Sequence, residues 1–190
     1  LRHAQPAQRG LHRGLDPGCR EPLARAHVGH THTLADIDMF QLSAEGFDIF
    51  IDLAEFCEVK PAVNQMETHV FHQQVQIREV MKKYGTRLES WGPFAEGRNG
   101  FFSNPVLKGI GEKYGKTPAQ TALRFLIQRG IIAIPKTTHR ERMEENFNVF
   151  DFELSQEDMG AIARLDRGES LFLCHQDPET VQFLINYGKQ

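Results

Sequence analysis

The stretch Thr117-Pro118-Ala119-Gln120-Thr121-Ala122-Leu123-Arg124-Phe125-Leu126-Ile127-Gln128-Arg129-Gly130-Ile131-Ile132-Ala133-Ile134-Pro135-Lys136-Thr137 decides the fold. Its first four residues set a capping side chain, a first-turn proline and a capping-box glutamine in the order that opens an α-helix. Ala119, Ala122, Leu123, Leu126 and Ile127 then form one apolar stripe at helical spacing, and Gly130 ends it. A buried strand, Ile131 to Ile134, is expected to follow at once and to end at Lys136. The next helix is expected to open around Thr138 to His139. Unpaired backbone N–H groups and the positive end of a helix dipole would then face the point reached by Lys136, and an anion is the natural guest there. One turn further, Arg142 offers a planar fork for a second phosphate. Asn146 lies four residues beyond it on the same face, able to pair with an adenine edge.

Working outward, the alternation continues in both directions. Ile49, Phe50, Leu53, Ala54, Phe56 and Cys57 read as an amphipathic helix that stops before Lys60-Pro61. Pro61 to Gln65 reads as a short buried strand ending in two amides, and Gln73 to Tyr84 as a helix closed by Gly85. Leu88 to Trp91 reads as a second strand running into Gly92-Pro93 and a long loop through Asn104. Ser155-Gln156-Glu157-Asp158 opens a further capped helix, and a short final helix follows Asp177-Pro178-Glu179. Strands alternating with helices imply an α/β chain with parallel strands and crossover helices, which places Asn64-Gln65, Trp91-Gly92 and Lys136-Thr137 on one rim. Gly109-Ile110-Gly111 lies in a helical run and lacks the third glycine of a dinucleotide turn.

Residues 1–46 break this regularity. They are rich in Arg, His, Gly, Pro and Ala, contain no lysine, and hold neither helical nor strand period for more than a few residues. A domain covering 47–190 is therefore expected behind an atypical, disordered or out-of-frame segment. His27, His30 and His32 in that segment have no acidic or thiol partner at ligand spacing, so no metal is expected. The three cysteines, Cys19, Cys57 and Cys174, are spread too widely for a disulfide framework or a zinc site. With 190 residues, a net charge of −3 and no sustained basic stripe, nucleic acid is not an expected partner. No apolar stretch approaches a membrane span and no secretory leader is recognisable, so a cytoplasmic protein is expected.

Four segments in order carry a family resemblance: Pro61-Ala62-Val63-Asn64-Gln65-Met66-Glu67-Thr68-His69, Trp91-Gly92-Pro93-Phe94-Ala95-Glu96-Gly97, Ile134-Pro135-Lys136-Thr137, and Phe150-Asp151-Phe152-Glu153-Leu154-Ser155. Together they resemble the C-terminal half of an aldo-keto reductase, closest to the bacterial branch related to 2,5-diketo-D-gluconate reductases. The resemblance implies a partial (β/α)8 TIM barrel containing about the last three strands and their helices. It also implies NADP as cofactor and reduction of aldehydes or ketones, small carbonyl compounds, to alcohols.

Carried across residue by residue, the resemblance has Gln65 pair with the nicotinamide carboxamide and Trp91 stack on the nicotinamide, with the small Gly92 leaving room beside it. It has Lys136 and Thr137 hold phosphate, Arg142 hold the 2′-phosphate and adenine face, and Glu145 and Asn146 bind adenine. His69 is read as a structural histidine. The family's catalytic Asp, Tyr, Lys and His belong to strands that should precede residue 47, where nothing matches, and Ser43 is too slight a remnant of the family's Ser-Asn pair to use. Tyr84 and Tyr114 fall at helix ends and Tyr187 near the terminus, so no catalytic residue is assigned. A truncated, weakly active or inactive reductase is expected, prone to self-association through exposed barrel edges. The alternatives are a non-catalytic NADP(H)-binding or interaction module, and a degraded gene product without function.

Overall fold

The computed structural model describes residues 41–42, 47–172 and 178–187. His27, His30, His32, Cys19, Cys174 and Ser43 lie outside them. Among the described residues, four parallel strands form one sheet whose spatial order is the order of the chain: β1 (Gln41–Leu42), β2 (Val63–Glu67), β3 (Arg87–Trp91) and β4 (Ile132–Ala133). Between them run α1 (Phe47–Phe56), α2 (Val75–Lys83), α3 (Pro105–Tyr114) and α4 (Pro118–Gln128), with a 3-10 segment over Ala95–Ser103. After β4 come α5 (Arg140–Phe147), α6 (Gln156–Ala163) and α7 (Pro178–Tyr187). Parallel neighbours in chain order joined by crossover helices are the wall of a (β/α) barrel, so the chain is α/β and matches a partial TIM barrel. The sheet holds one strand more than the three expected, because β1 falls inside the segment that showed no period.

The helices form where their caps and stripes demand. In α4 the Thr117 hydroxyl accepts from the Gln120 N–H at 3.2 Å while the Gln120 side chain accepts from the Thr117 N–H at 3.0 Å. This is the reciprocal box expected from the sequence. The Asn104 side chain caps α3 by accepting from Val106 and Leu107. Of the glycine pair inside α3, Gly111 has a packing reason: a Cβ there would stand 2.3 Å from the Lys116 carbonyl oxygen and 2.9 Å from the Thr121 hydroxyl, whereas one at Gly109 would meet nothing within 4 Å. Gly111 permits close packing of α3 on α4. The core gathers Phe50, Met66, Phe71, Met81, Phe101, Leu107, Phe125, Leu126 and Ile162 between the sheet and its helices. Each such side chain stabilises the fold by roughly 1.5–3 kcal/mol through burial.

Three local expectations need correction. The strand expected over Pro61 to Gln65 runs two residues later, as Val63–Glu67. Pro61 has no N–H for a ladder, and its carbonyl accepts from the Thr86 hydroxyl at 2.6 Å instead. Gln65 therefore lies in the middle of a strand rather than at its rim end. The helix expected from Gln73 begins at Val75, because Gln74 is left-handed (φ 53°) and the buried Gln73 amide donates to the carbonyls of Val70 and Ile162. The strand expected to be buried from Ile131 to Ile134 alternates: Ile131 is buried, whereas Ile132 is 37% and Ile134 47% exposed. Ile132 shares its row in register with Gln65 and Glu89, which are half-buried, on the face of the sheet opposite Asn64, Leu88 and Ser90.

Candidate cofactor site

A cavity of about 330 Å³ opens beside the C-terminal side of the sheet, lined by Lys136, Thr137, Arg142, Glu145 and Asn146 from the segment after β4. Phe94 and Phe102 enclose it from the loop after β3, and Thr117, Pro118 and Ala119 from the start of α4. The loop holds three non-glycine residues at positive φ, Ala95, Glu96 and Asn99, a clustering that marks a backbone fixed by its surroundings. It brings the rings of Phe94 and Phe102 to 5.8 Å of each other at 54°. Residues 134–139 form no regular structure, and the Thr137 hydroxyl accepts from the His139 N–H at 3.1 Å, which shapes the turn into α5.

Two cations at this cavity stand outside the ion pairs of the surrounding surface. Arg140 pairs with Glu144 at 3.0 Å and Lys116 with Asp151 at 2.7 Å. Among the described residues, neither Lys136 nor Arg142 takes part in an ion pair. Two exposed cations and a threonine hydroxyl around one cavity suit a ligand carrying phosphate. The carboxylate of Glu145 and the amide of Asn146 on the same wall suit a base with both donors and acceptors.

Gln65, Trp91 and Gly92 do not line that cavity and form a second group on β2 and the end of β3. The Gln65 amide donates to the Glu89 carboxylate at 2.8 Å, its partner in register on the neighbouring strand. The Trp91 ring meets Phe172 with centroids 5.1 Å apart at 59°, and the Arg98 guanidinium lies 4.2 Å over the other ring system of that pair, Phe172. Gly92 has a backbone reason beyond the room expected beside it. Its φ is +64°, a region that disfavours any side chain, while a Cβ would meet only ordinary contact with Phe172 at 3.7 Å.

Behind these residues the Glu67 carboxylate fixes the returning chain. It accepts from the Leu171 N–H at 2.8 Å and the Ser170 hydroxyl at 2.5 Å, and pairs with His69 Nε2 at 2.9 Å. Burial alone would raise its pKa, but the hydrogen bonds from His69, Leu171 and Ser170 outweigh burial and hold it below the usual carboxylate value. His69 Nδ1 accepts from the Phe71 N–H at 3.2 Å, so the ring proton belongs on Nε2, toward Glu67. Both ring nitrogens are engaged within the protein.

Tyr84 and Tyr114 do not line the cavity. Tyr84 donates to Glu55 at 2.7 Å, and that hydrogen bond holds its phenol above the usual pKa. Tyr114 donates to Asp158 at 2.6 Å. The side chain of Tyr187 is outside those described. In the sequence Thr117, Pro118 and Ala119 read only as a helix start. The missed signal was that a capping threonine places its hydroxyl at an open helix end, where a neighbouring element can reach it.

The family model for the aldo/keto reductase family matches residues 37–167. The chain belongs to the aldo/keto reductase family. An aldo-keto reductase of Mycolicibacterium smegmatis is 44% identical over 131 residues, covering 69% of the chain and 46% of the relative. Methylglyoxal reductase DkgA of Escherichia coli K12 is 41% identical over 113 residues, covering 60% and 41% respectively. The solved structure of a Gox0644 variant in complex with NADPH superposes with a TM-score of 0.63 at 38% identity, covering 67% of the chain and 47% of that structure. The chain thus spans about half the length of the relatives it matches. Among the described residues, no helix is long and apolar enough to cross a membrane, and no three His, Cys, Asp or Glu residues gather as a metal site.

Proposed function

We propose that this aldo/keto reductase chain binds NADP(H) and supplies the cofactor-holding half of a barrel that reduces aldehydes or ketones to alcohols. The observation that carries the reading is the grouping of Lys136, Thr137, Arg142, Glu145 and Asn146 around one cavity. Lys136, Thr137 and Arg142 hold the phosphates, Arg142 selecting the 2′-phosphate that distinguishes NADP from NAD, while Glu145 and Asn146 hold adenine. Gln65, Trp91 and Gly92 receive the nicotinamide, which when bound supplies hydride to a carbonyl carbon. The NADPH complex of a relative with the same fold and the name of the E. coli relative support NADP as cofactor and a small carbonyl compound as substrate.

A second reading, a non-catalytic NADP(H)-binding module, is favoured by the tyrosines. Tyr84 and Tyr114 are both committed to carboxylates away from the cavity, so neither stands ready to protonate a carbonyl oxygen. Titration of the purified chain with NADPH and NADH, followed by the fluorescence of Trp91, tests the binding shared by both readings. Saturable quenching, stronger with NADPH, is expected, and no quenching by either would overturn them together. NADPH consumption on adding methylglyoxal separates the two: turnover supports the reductase, and binding without turnover the module. The exposed side chains of Ile132 and Ile134 are proposed as part of a surface for self-association, which sedimentation velocity at rising concentration would show.

A further inference from the structure

The capping box of α4 does more than start its own helix. The Thr117 hydroxyl, which accepts from the Gln120 N–H, also donates to Oε1 of Glu145 at 2.5 Å across to α5. The Gln120 side chain, buried at 5% exposure, closes the box through its oxygen and spends its amide hydrogens on the same neighbour. Its Nε2 donates to the carbonyl of Glu145 at 3.1 Å and to that of Asn148 at 2.9 Å. Those carbonyls sit at the C-terminal end of α5, where a helix runs short of internal donors, and that of Glu145 accepts from the Asn148 N–H as well. One sequence motif therefore caps the beginning of α4 and the end of α5 at once. The backbone of Glu145 is fixed by Gln120 and its carboxylate by Thr117, on the wall of the cavity.

We propose that Thr117 is a positioning residue for adenine recognition: by holding Oε1 of Glu145, it turns Oε2 into the cavity as the acceptor for the exocyclic amine of the base. This rests on the reading of the cavity as the adenosine end of an NADP site. A carboxylate free to rotate would lose entropy on binding the amine, whereas one already held by a hydroxyl donor presents its second oxygen at no such loss. The consequence is discrimination: the chain favours adenine over hypoxanthine, which carries a carbonyl oxygen where adenine carries the amine, and that oxygen would face the carboxylate. A hydrogen bond from the amine to a held carboxylate corresponds to about a tenfold preference.

The test compares NADPH with its hypoxanthine analogue by calorimetric titration of the full chain. The two ligands carry the same phosphates, so changes in phosphate binding cancel in the ratio of their affinities. Thr117→Ser keeps both cap and donor and should keep the preference. Thr117→Gly keeps a competent N-cap within a few tenths of a kcal/mol but removes the donor. Thr117→Asp also caps the helix, yet accepts only and repels Glu145. Both should lower the ratio below the native value, because Glu145 remains but is no longer held, and in Thr117→Gly the affinity for the hypoxanthine analogue should stay within about twofold of native. A merely structural cap would shift the thermal transition and both affinities together without moving the ratio. If either folded variant, Gly or Asp, retains the full preference, the positioning role is overturned. If the native chain binds neither ligand, the NADP reading fails as well, whereas native binding without any adenine preference overturns only the role of Thr117.

Discussion

The two groups of expected cofactor residues differ in how far the protein has already committed them. After β4, Lys136 and Arg142 stand outside the ion pairs of the described residues, Glu145 is braced by Thr117 and Gln120, and a cavity stands open between them. On β2 and β3, Gln65 is bonded to Glu89 and Trp91 is packed against Phe172. The first group is arranged for a guest. The second is arranged around its own neighbours, so a guest there must displace existing contacts. The binding free energy of a dinucleotide should accordingly come from its adenosine phosphate end, with the nicotinamide end contributing less.

The strongest challenge to that contrast is Arg142→Ala. Charge-assisted contacts of this kind contribute about 1.5–3 kcal/mol, so NADPH affinity should fall roughly 10- to 150-fold while NADH affinity changes little, as read by calorimetry. An equal loss for both dinucleotides would remove Arg142 from 2′-phosphate recognition.

The polar tie between α3 and α6 gives a smaller, pH-dependent effect. Burial of Asp158 would raise its pKa, but hydrogen bonds from Lys113, Tyr114 and Ser155 outweigh burial and lower it from 3.8 to about 2. A carboxyl whose folded value lies below its unfolded value stabilises the fold fully above the unfolded value and loses that stabilisation as pH falls through the folded one. Thermal unfolding should therefore show stability that declines between about pH 4 and pH 2 in the native chain, and a flatter decline in Asp158→Asn. Identical profiles for the two would take Asp158 out of the account of how α3 is tied to α6.

The smallest effect concerns the second group. Removing the ring that covers Trp91, by Phe172→Ala, relinquishes an aromatic contact of about 0.5–1.5 kcal/mol. If that contact opposes entry of the nicotinamide, NADPH should bind roughly two- to tenfold more tightly, with affinity for the adenosine bisphosphate half unchanged. Weaker NADPH binding would instead make Phe172 part of the site and shrink the contrast between the two groups.

How much of this was legible in the sequence follows the range of the interactions. The α4 cap and the strand–helix alternation are local, and the box at Thr117 and Gln120 formed as its residues dictate. The partial barrel followed from that alternation and from four family segments. The placement of Gln65 did not, because Pro61 satisfies its carbonyl through Thr86, a contact 25 residues away that shifts the strand. The exposure of Ile132 and Ile134 was hidden for a related reason: an apolar run announces a buried strand, but burial needs a second layer over its inner face. The link from Thr117 to Glu145 spans 28 residues and two helices, and no periodicity reports it. Gly92 reads in the sequence as room for a ligand, whereas its left-handed backbone already favours glycine.

The most direct measurement is calorimetric titration of the full chain with the two halves of the cofactor separately, adenosine bisphosphate and nicotinamide mononucleotide. Saturable binding of adenosine bisphosphate, with no detectable binding of nicotinamide mononucleotide at the same concentration, is the expected result. Binding of nicotinamide mononucleotide in preference to adenosine bisphosphate would contradict the claim that the end of the site after β4 is the one already formed.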